Sequence, residues 1–275
     1  MSSILIVGSL AYDVIATTLD VLPAANVKLD SVRTDFGGCG GNLAYNFSRL
    51  GQHHVLHGHL GALDAQPYQL HLRKVGASLD GIRQVEGLNS ARAFIFTDPD
   101  GAQFTAFHPL RVDLSLWQQH FEATLADFRP DFAIIAPDPP ERMLAAVRRL
   151  HSVCPLLCYP GQYTAHLAPP EAEELLAAAS IVIQNEHEHR LLPVPDGPLA
   201  IVTRGAKAVQ VRDKLTHEFP VPPASAVDPT GCGDAFTAAF MHQWLIDESL
   251  DKSVRAGIEW AQRCLAQVGS QDHQA

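Results

Sequence analysis

Segments that would direct the chain to or across a membrane are missing from this sequence of 275 residues. Residues 1–7 (MSSILIV) are too short for a secretory leader and lack its charged start. No apolar stretch reaches the roughly 20 residues that span a bilayer. Cysteine is scarce too: there are five, an odd number, without a paired ligand spacing. We therefore expect a cytoplasmic protein with reduced thiols and no membrane partner.

Lysine and arginine are also few compared with aspartate and glutamate. Twenty lysines and arginines stand against thirty aspartates and glutamates, the formal net charge is −10, and the basic residues form no run. A general nucleic-acid surface needs a basic patch, so no nucleic-acid partner is expected. A bound phosphate would have to be held by local devices, such as backbone N–H groups at the start of a helix.

Two common nucleotide-binding motifs are absent. The first apolar run, residues 4–7, is followed by GSLAYD and not by G-x-G-x-x-G, which argues against a nicotinamide-dependent dehydrogenase. The P-loop pattern G-x-x-x-x-G-K-[ST] occurs nowhere in the chain. A nucleotide would therefore have to bind through a different arrangement.

Short apolar runs alternate with helical patterns through much of the chain. Hydrophobic residues make up 47% of the sequence and charged residues 18%, which is typical of a globular protein. Strands are predicted at residues 4–7, 132–136, 155–159, 181–183 and 199–203. Helices are predicted at residues 141–150 and 171–179, each directly after a proline, and at 250–267. This alternation implies βαβ units and a mostly parallel sheet, hence an α/β fold.

Residues 92–108 (RAFIFTDPDGAQFTAFH) break this pattern. Two alternating runs flank Asp98-Pro99-Asp100-Gly101, which has the composition of a tight turn. The segment therefore predicts a β-hairpin, which could serve as a lid. Phe94 and Phe96 share one face of its first strand, and Phe104 and His108 share a face of the second. These aromatic faces could pack on a purine or form the small core of the lid itself.

Residues 228–236 (DPTGCGDAF) carry the strongest chemical signal. A helical pattern of apolar residues follows them, so Gly231 and Gly233 lie at or just before a helix N-terminus. Glycines let backbone N–H groups converge on an anion there, and the helix dipole favours negative charge. Asp234 falls in the first turn, where a carboxylate beside a phosphate is suited to remove a proton from an attacking hydroxyl. The alternative is an aspartate that only stabilises the helix dipole.

A second glycine-rich segment lies at residues 36–51. Four of the five residues at positions 37–41 are glycine, and a helix pattern follows them. The backbone there can approach a ligand closely. Asn42 can donate and accept hydrogen bonds, which suits vicinal hydroxyls. Taken alone, the segment could also be a flexible turn.

Together these two segments resemble the signatures of the ribokinase-like (PfkB) family of sugar and nucleoside kinases, as GGCGGN and DPTGCGD. Residues 8–13 (GSLAYD) are similar to the first strand of the family and its hydroxyl-binding aspartate. Residues 185–188 (NEHE) match its N-x-x-E motif, and residues 203–205 (TRG) look like the start of its T-x-G motif. The likeness extends over nearly the whole chain and is closest in look to bacterial adenosine kinase-like members.

This resemblance implies a fold and a set of cofactors. The fold would be a three-layer, Rossmann-like α/β domain over residues 1–275 with a mostly parallel sheet. A small β lid would be formed by strands from about residues 10–35 and 92–108. The cofactors would be ATP and Mg²⁺, with K⁺ as an option, and a homodimer could form through the lid.

It also implies a role for each motif residue. Asp234 would be the catalytic base. The anion hole would be formed by the N–H groups of Gly231, Cys232 and Gly233. The phosphoryl acceptor would be held by Asp13, Gly37, Gly38 and Asn42. The nucleotide side would comprise Asn185, Glu188, Thr203 and Gly205. Glu188 would hold Mg²⁺ indirectly, and Asp228 would orient the loop or help to bind a monovalent cation.

The sequence departs from the family pattern at three points. Cys232 replaces the alanine that is common between the two glycines. Ala208 stands where T-x-G-x-x-G has its second glycine. The insertions of the lid and helices are lean. No catalytic group is lost.

The predicted activity is ATP-dependent phosphorylation of a hydroxymethyl group. A nucleoside, with adenosine favoured, is the first candidate acceptor, and ribose, fructose or a related sugar is the second. A catalytically silent nucleotide-binding protein is a third option, but Asp234 beside both glycines favours an enzyme. A metal role for His57 and His59, on one face of a predicted strand, is disfavoured because no acidic or cysteine ligand is near them in sequence.

Overall fold

The computed structural model describes residues 2–22, 26–100 and 102–273. Within this part of the chain, nine strands form one sheet in the order β13-β12-β11-β10-β9-β8-β1-β4-β5. Its strands are Ile4–Val7 (β1), His54–Gly61 (β4), Ile82–Val85 (β5), Phe132–Ile135 (β8), Leu156–Cys158 (β9), Ile181–Asn185 (β10), Leu199–Thr203 (β11), Ala208–Arg212 (β12) and Thr216–Pro220 (β13). β12 runs antiparallel to both of its neighbours, β11 and β13, and the other neighbouring pairs are parallel.

Helices cover both faces of this sheet because side chains of one buried strand point alternately to each face. In β1, Ile4 and Ile6 pack in one apolar cluster, and Leu5 and Val7 pack in a second. The first cluster includes side chains of Cys39–Arg49 (α1), Ala65–Lys74 (α2), Cys232–Asp247 (α7) and Leu250–Leu265 (α8). The second includes side chains of Leu114–Asp127 (α3), Pro140–Leu150 (α4) and Pro169–Ala177 (α5). The predicted mostly parallel α/β architecture with helices on two sides is therefore confirmed.

A second, four-stranded sheet forms the lid. Its strands are Ala11–Thr18 (β2), Leu29–Gly37 (β3), Ala91–Thr97 (β6) and Gln103–His108 (β7), in the order β3-β2-β6-β7. β2 and β6 pair in parallel, and the two outer pairs are antiparallel. The lid therefore joins the segment after β1 to the hairpin predicted at residues 92–108.

The hairpin turn is held by hydrogen bonds of its first residue, Asp98. The Asp98 carboxylate oxygen Oδ1 accepts the N–H groups of Asp100 and Ala102, and the Asp98 N–H donates to the carbonyl of Ala102. This side-chain turn is typical of aspartate. Gly101, predicted to be part of the turn, lies outside the described residues.

Several element bounds differ from the predicted ones by a few residues. α4 and α5 begin at Pro140 and Pro169, since proline is tolerated in the first helical turn. β9 excludes Pro155, which has no N–H group to offer a strand, and begins at Leu156. No helix among the described residues is both long and apolar enough to span a membrane.

Candidate active site

The predicted site residues gather at one edge of the central sheet. Parallel strands end together, so the residues that follow β1, β8, β9 and β10 share the carboxyl edge, where ligands of open α/β sheets bind. Tyr159 follows β9, and Asn185 ends β10. β2 rises from this edge into the lid, and the N-terminus of α7 brings Asp234 to it.

Asp234 is buried and both of its oxygens accept hydrogen bonds. The Asn42 amide Nδ2 donates to Oδ2 at 2.7 Å, and the Tyr159 hydroxyl donates to Oδ1 at 2.7 Å. Asn42 lies in the first turn of α1 and Asp234 in the first turn of α7, and these helices pack against each other. The geometry therefore fixes the carboxylate between two helix starts and the end of a strand.

The proton affinity of Asp234 is suited to a general base near neutral pH. Burial raises the pKa of its carboxyl to about 6, against the lowering effect of hydrogen bonds from Asn42, Tyr159 and Cys39. A group with this pKa is mostly ionised at pH 7 and still binds a proton readily, which is the balance that proton transfer requires.

The glycine loop before α7 is a tight turn. Gly231 is the N-cap of α7 with φ 79°, in the left-handed region. The Cys232 N–H donates to the carbonyl of Pro229 at 3.2 Å, which closes the turn. Cys232 was one of three predicted anion-hole donors. The other two, the N–H groups of Gly231 and Gly233, have no partner among the described residues and remain available to an anion.

The acceptor side is built around Asp13 of β2. Its carboxylate is buried, and burial together with Asp35, Asp234 and Asp228 raises the pKa of Asp13 to about 7. A Cβ on Gly37 would lie 2.1 Å from the Asp13 carboxylate, so only glycine fits there. Gly38 caps α1 with φ 81°. The predicted acceptor residues therefore lie together, beside Asp234.

The nucleotide-side residues lie at the ends of two paired strands. Asn185 at the end of β10 is the N-cap of the short helix Glu186–Leu191 (α6), and it exchanges hydrogen bonds with Glu188 in a capping box. Asn185 is paired with Thr203 at the end of β11. Gly205 follows in a turn with φ 59°. Burial raises the pKa of Glu188 against the lowering effect of the hydrogen bond from the Asn185 N–H, and the charge of Asp234 adds to the increase.

Asp228 accepts hydrogen bonds from three donors. Its Oδ1 accepts the Thr230 N–H at 2.9 Å, and its Oδ2 accepts the Arg33 guanidinium at 2.9 Å and the Gly269 N–H at 3.1 Å. Burial alone would raise the pKa of Asp228, but these donors hold it below its usual value. A monovalent cation would have to compete with Arg33, so the residues do not fit the cation role. They fit the role of orienting the glycine loop.

The register of the lid decides which side chains face the site. Asp13 pairs with Ala93, and Ala93 pairs with Phe107, so all three point to the same face. Phe96 and Phe104 pair with each other and have ring centroids 6.4 Å apart on the opposite face. The aromatic side chain on the Asp13 face is therefore Phe107, and the predicted set of Phe94, Phe96, Phe104 and His108 lies on the other face.

The two cysteines of the glycine loops differ in how readily their thiols ionise. Burial and the nearby carboxylate of Asp234 raise the pKa of Cys39 well above its usual value. A hydrogen bond with Cys264 lowers the pKa of Cys232, which also lies at the N-terminus of α7. The Cys232 thiol is therefore the more readily ionised of the two.

The histidines of β4 are packing residues. His57 lies against Trp117 and Phe121, and its Nδ1 is 3.1 Å from the Thr124 hydroxyl. His59 is hydrogen-bonded to His120 at 3.0 Å. Among the described residues, no group of three or more histidine, cysteine or acidic side chains is arranged to hold a metal ion.

Three residues at the site were not predicted from the sequence: Tyr159, Ser270 and Gln271. Tyr159 could have been found, because it is a polar residue at the end of a predicted parallel strand. Ser270 and Gln271 follow the last helix, and their contacts with α1 span more than 200 positions in the sequence. No local pattern signals such a contact.

Comparison with known proteins places this site in a family. The model of the pfkB family carbohydrate kinases matches residues 1–274. The nucleoside kinase of Burkholderia thailandensis in complex with inosine is 28% identical, with a TM-score of 0.89 over 98% of this chain and 93% of that one. The same kinase in complex with ADP-inosine is similar at a TM-score of 0.86 and 27% identity, covering 99% of this chain and 92% of that one. A nucleoside kinase of Methanocaldococcus jannaschii is 24% identical over 92% of this chain and 86% of its own length.

The chain belongs to the pfkB family of carbohydrate kinases. It is a phosphotransferase that uses an alcohol group as acceptor, as the resemblance implied. The predicted family and α/β fold are thereby confirmed.

Proposed function

We propose that this enzyme transfers the γ-phosphoryl group of ATP to the hydroxymethyl group of a nucleoside. The observation that carries the proposal is the buried Asp234 carboxylate beside the unpartnered amides of Gly231 and Gly233 and next to Asp13. The similar B. thailandensis enzyme, crystallised with inosine and with ADP-inosine, supports a nucleoside as acceptor and ATP as donor.

Each residue of the site has a task in this transfer. Asp13 accepts hydrogen bonds from hydroxyls of the acceptor sugar and so turns its hydroxymethyl group toward Asp234. Asp234 takes the hydroxyl proton as the oxygen attacks phosphorus. The amides of Gly231 and Gly233 donate to the oxygens of the transferring phosphoryl group, where negative charge collects.

Mg²⁺ fits the nucleotide side of this arrangement. The Glu188 carboxylate is an oxygen ligand of the kind that Mg²⁺ prefers, and it would help to hold the ion on the nucleotide side of the site. A bound Mg²⁺ would neutralise charge on the ATP phosphates. Asn185 and the capping box hold Glu188 in place for that role.

Phe107 distinguishes a nucleoside from a simple sugar as acceptor. It lies on the Asp13 face of the lid, and the residue is 37% exposed. An aromatic ring there can stack on a nucleobase, whereas a free pentose has no flat group to offer. Adenosine is the favoured acceptor, and inosine is the second candidate because the similar B. thailandensis enzyme binds it.

The test is an ADP-release assay over adenosine, inosine, guanosine, cytidine, ribose and fructose. We expect a nucleoside to give the highest kcat/KM. Phe107→Ala should lower that kcat/KM about 5–150-fold, by the 1–3 kcal/mol of an aromatic stack on a base, and leave activity with ribose unchanged. Phe104→Ala, on the opposite face, is the matched control and should behave as wild type. A panel in which ribose or fructose exceeds every nucleoside would overturn the nucleoside assignment.

A homodimer through the lid is proposed on a separate observation. The lid face opposite Asp13 exposes apolar side chains, among them Val32 at 62% and Phe104 at 57%. Exposed apolar groups that share one sheet face are typical of an interaction surface. A second copy of the chain would bury them without covering the Asp13 face.

A further inference from the structure

The last described residues pack beside the catalytic aspartate. After α8 ends, the chain passes back along α1, where Ser270, Gln271 and His273 are buried. Gln271 Nε2 donates to the Asn42 oxygen Oδ1 at 2.8 Å. The single hydroxyl hydrogen of Ser270 is shared between the same Asn42 oxygen, 2.9 Å away, and the Phe36 carbonyl, 3.1 Å away. Asn42 is the residue whose amide nitrogen holds Asp234. The end of the chain thus contacts the catalytic base through one side chain.

The hydrogen bonds around Gln271 have a fixed direction. The Gly37 carbonyl can only accept, so the Tyr68 hydroxyl donates to it at 2.6 Å. The Tyr68 oxygen must then accept its second hydrogen bond, which comes from Gln271 Nε2 at 2.8 Å. The amide nitrogen of Gln271 therefore faces both Tyr68 and Asn42.

The direction of these hydrogen bonds also fixes the orientation of the Asn42 side-chain amide. With Gln271 donating to its Oδ1, the Asn42 side chain must present its Nδ2 to Asp234 at 2.7 Å. If the Asn42 amide were reversed, its oxygen would face the Asp234 carboxylate, and two hydrogen-bond acceptors would lie together without a donor. His71 Nε2 reinforces the order, because it lies 3.0 Å from the Gln271 oxygen Oε1 and can donate to it.

We propose that Gln271 is a positioning residue for phosphoryl transfer. It orients the Asn42 amide so that Asn42 donates to Asp234, and the order of the whole chain of hydrogen bonds is set by the Gly37 carbonyl. The proposal rests on the proposed function, in which Asp234 is the base. It gives the segment after α8 a part in catalysis although none of its side chains needs to touch a substrate.

The expected consequence is a change in the proton affinity of Asp234. The Asn42 hydrogen bond lowers the pKa of this carboxyl, so its loss raises it. Asp234 also interacts with Asp13 of β2, Cys39 of α1, Tyr68 of α2, Tyr159 after β9, Glu188 of α6, Cys232 of α7 and Cys264 of α8. Of these groups, Tyr68 is hydrogen-bonded to Gln271, but its hydroxyl donates to the Gly37 carbonyl and not to Asp234. The hydrogen-bonded route from Gln271 to Asp234 therefore runs through Asn42.

Gln271→Glu and Gln271→Met separate this role from packing. Glutamate has the shape of glutamine but only accepts when ionised, a form favoured by His71, so the Asn42 amide must reverse. Methionine keeps the volume and loses the donor, while Ser270 still holds Asn42. Gln267→Glu, at an exposed position four residues earlier, is the matched control for the added charge.

The readouts are the pH profile of kcat/KM and a carbon-13 NMR titration of the Asp234 carboxyl, assigned with Asp234→Asn. We expect the acid limb and the NMR titration of Gln271→Glu to move upward by about one pH unit, a tenfold change in proton affinity. Gln271→Met should move less, and Gln267→Glu not at all.

Two results would overturn the proposal. One is a folded Gln271→Glu variant that titrates like wild type. The other is a shift of equal size in Gln267→Glu, which would mean that the added negative charge alone causes the shift. Because the NMR titration needs no substrate, it tests the connection from Gln271 through Asn42 to Asp234 even if the wild-type enzyme phosphorylates none of the nucleosides. Failure of the proposed function is therefore distinguishable from failure of this inference.

Discussion

Asp234→Asn should lower kcat by about 10²–10⁴-fold, the usual effect of removing a general base. Asparagine preserves the size of the side chain and can still accept one hydrogen bond from Asn42 or Tyr159, so the fold and the binding of ATP should persist. What it cannot do is take the proton from the attacking hydroxyl. The measurement is steady-state kcat with the best nucleoside, together with ATP affinity by calorimetry.

Asp251→Asn is the matched control for this substitution. Asp251 is also an aspartate in the first turn of a helix, α8, but it is exposed and paired with Arg255 on the surface. It should retain wild-type kcat. An Asp234→Asn enzyme within a few-fold of wild type would mean that another group accepts the proton.

Gly231→Ala should have the second-largest effect. Gly231 has φ 79°, and an added Cβ would lie 2.4 Å from the Cβ of Ser270 and 3.0 Å from its Cα. The variant must either strain the turn, at a cost of about 1–3 kcal/mol, or move it. Because the turn aims the free amides, we expect a lower melting temperature and a loss of kcat of about 10²-fold, the usual effect of losing one such donor.

Gly233→Ala is the control for the backbone part of this prediction. Position 233 lacks a positive φ, and an added Cβ would meet no atom within 4 Å. Alanine there should leave the melting temperature unchanged or raise it, since it favours the helix. Equal melting temperatures for both variants would contradict the role assigned to the Gly231 conformation.

Features that depend on neighbouring residues in the sequence could be predicted well. The run at residues 4–7 is a buried strand because it is apolar throughout, and β11 has the predicted bounds of 199–203. The glycines before Asp234 predict a helix start with free amides, and α7 begins at Cys232. These strands and helix starts can be predicted because they depend only on the propensities and the burial of neighbouring residues.

Features that depend on pairing between distant segments could not be predicted. Phe94, Phe96 and Phe104 share one face of the lid, as the alternation requires. The pairing of β6 with β2 and β7 places Asp13 and Phe107 on the other face. The contacts of Gln271 with Tyr68 and Asn42 join residues more than 200 positions apart. The Cys232 amide was expected to face an anion, yet the turn at Pro229 engages it. Such outcomes follow from tertiary geometry.

The most direct test of the central claim is the position of the transferred phosphate. Wild-type enzyme would be incubated with ATP and the best nucleoside, and the product examined by phosphorus–proton correlation NMR. We predict a phosphate coupled to the two protons of the hydroxymethyl carbon of the nucleoside, formed in amounts equal to the ADP released and absent with Asp234→Asn. Phosphate attached elsewhere, or ATP hydrolysis without a phosphorylated nucleoside, would contradict the account.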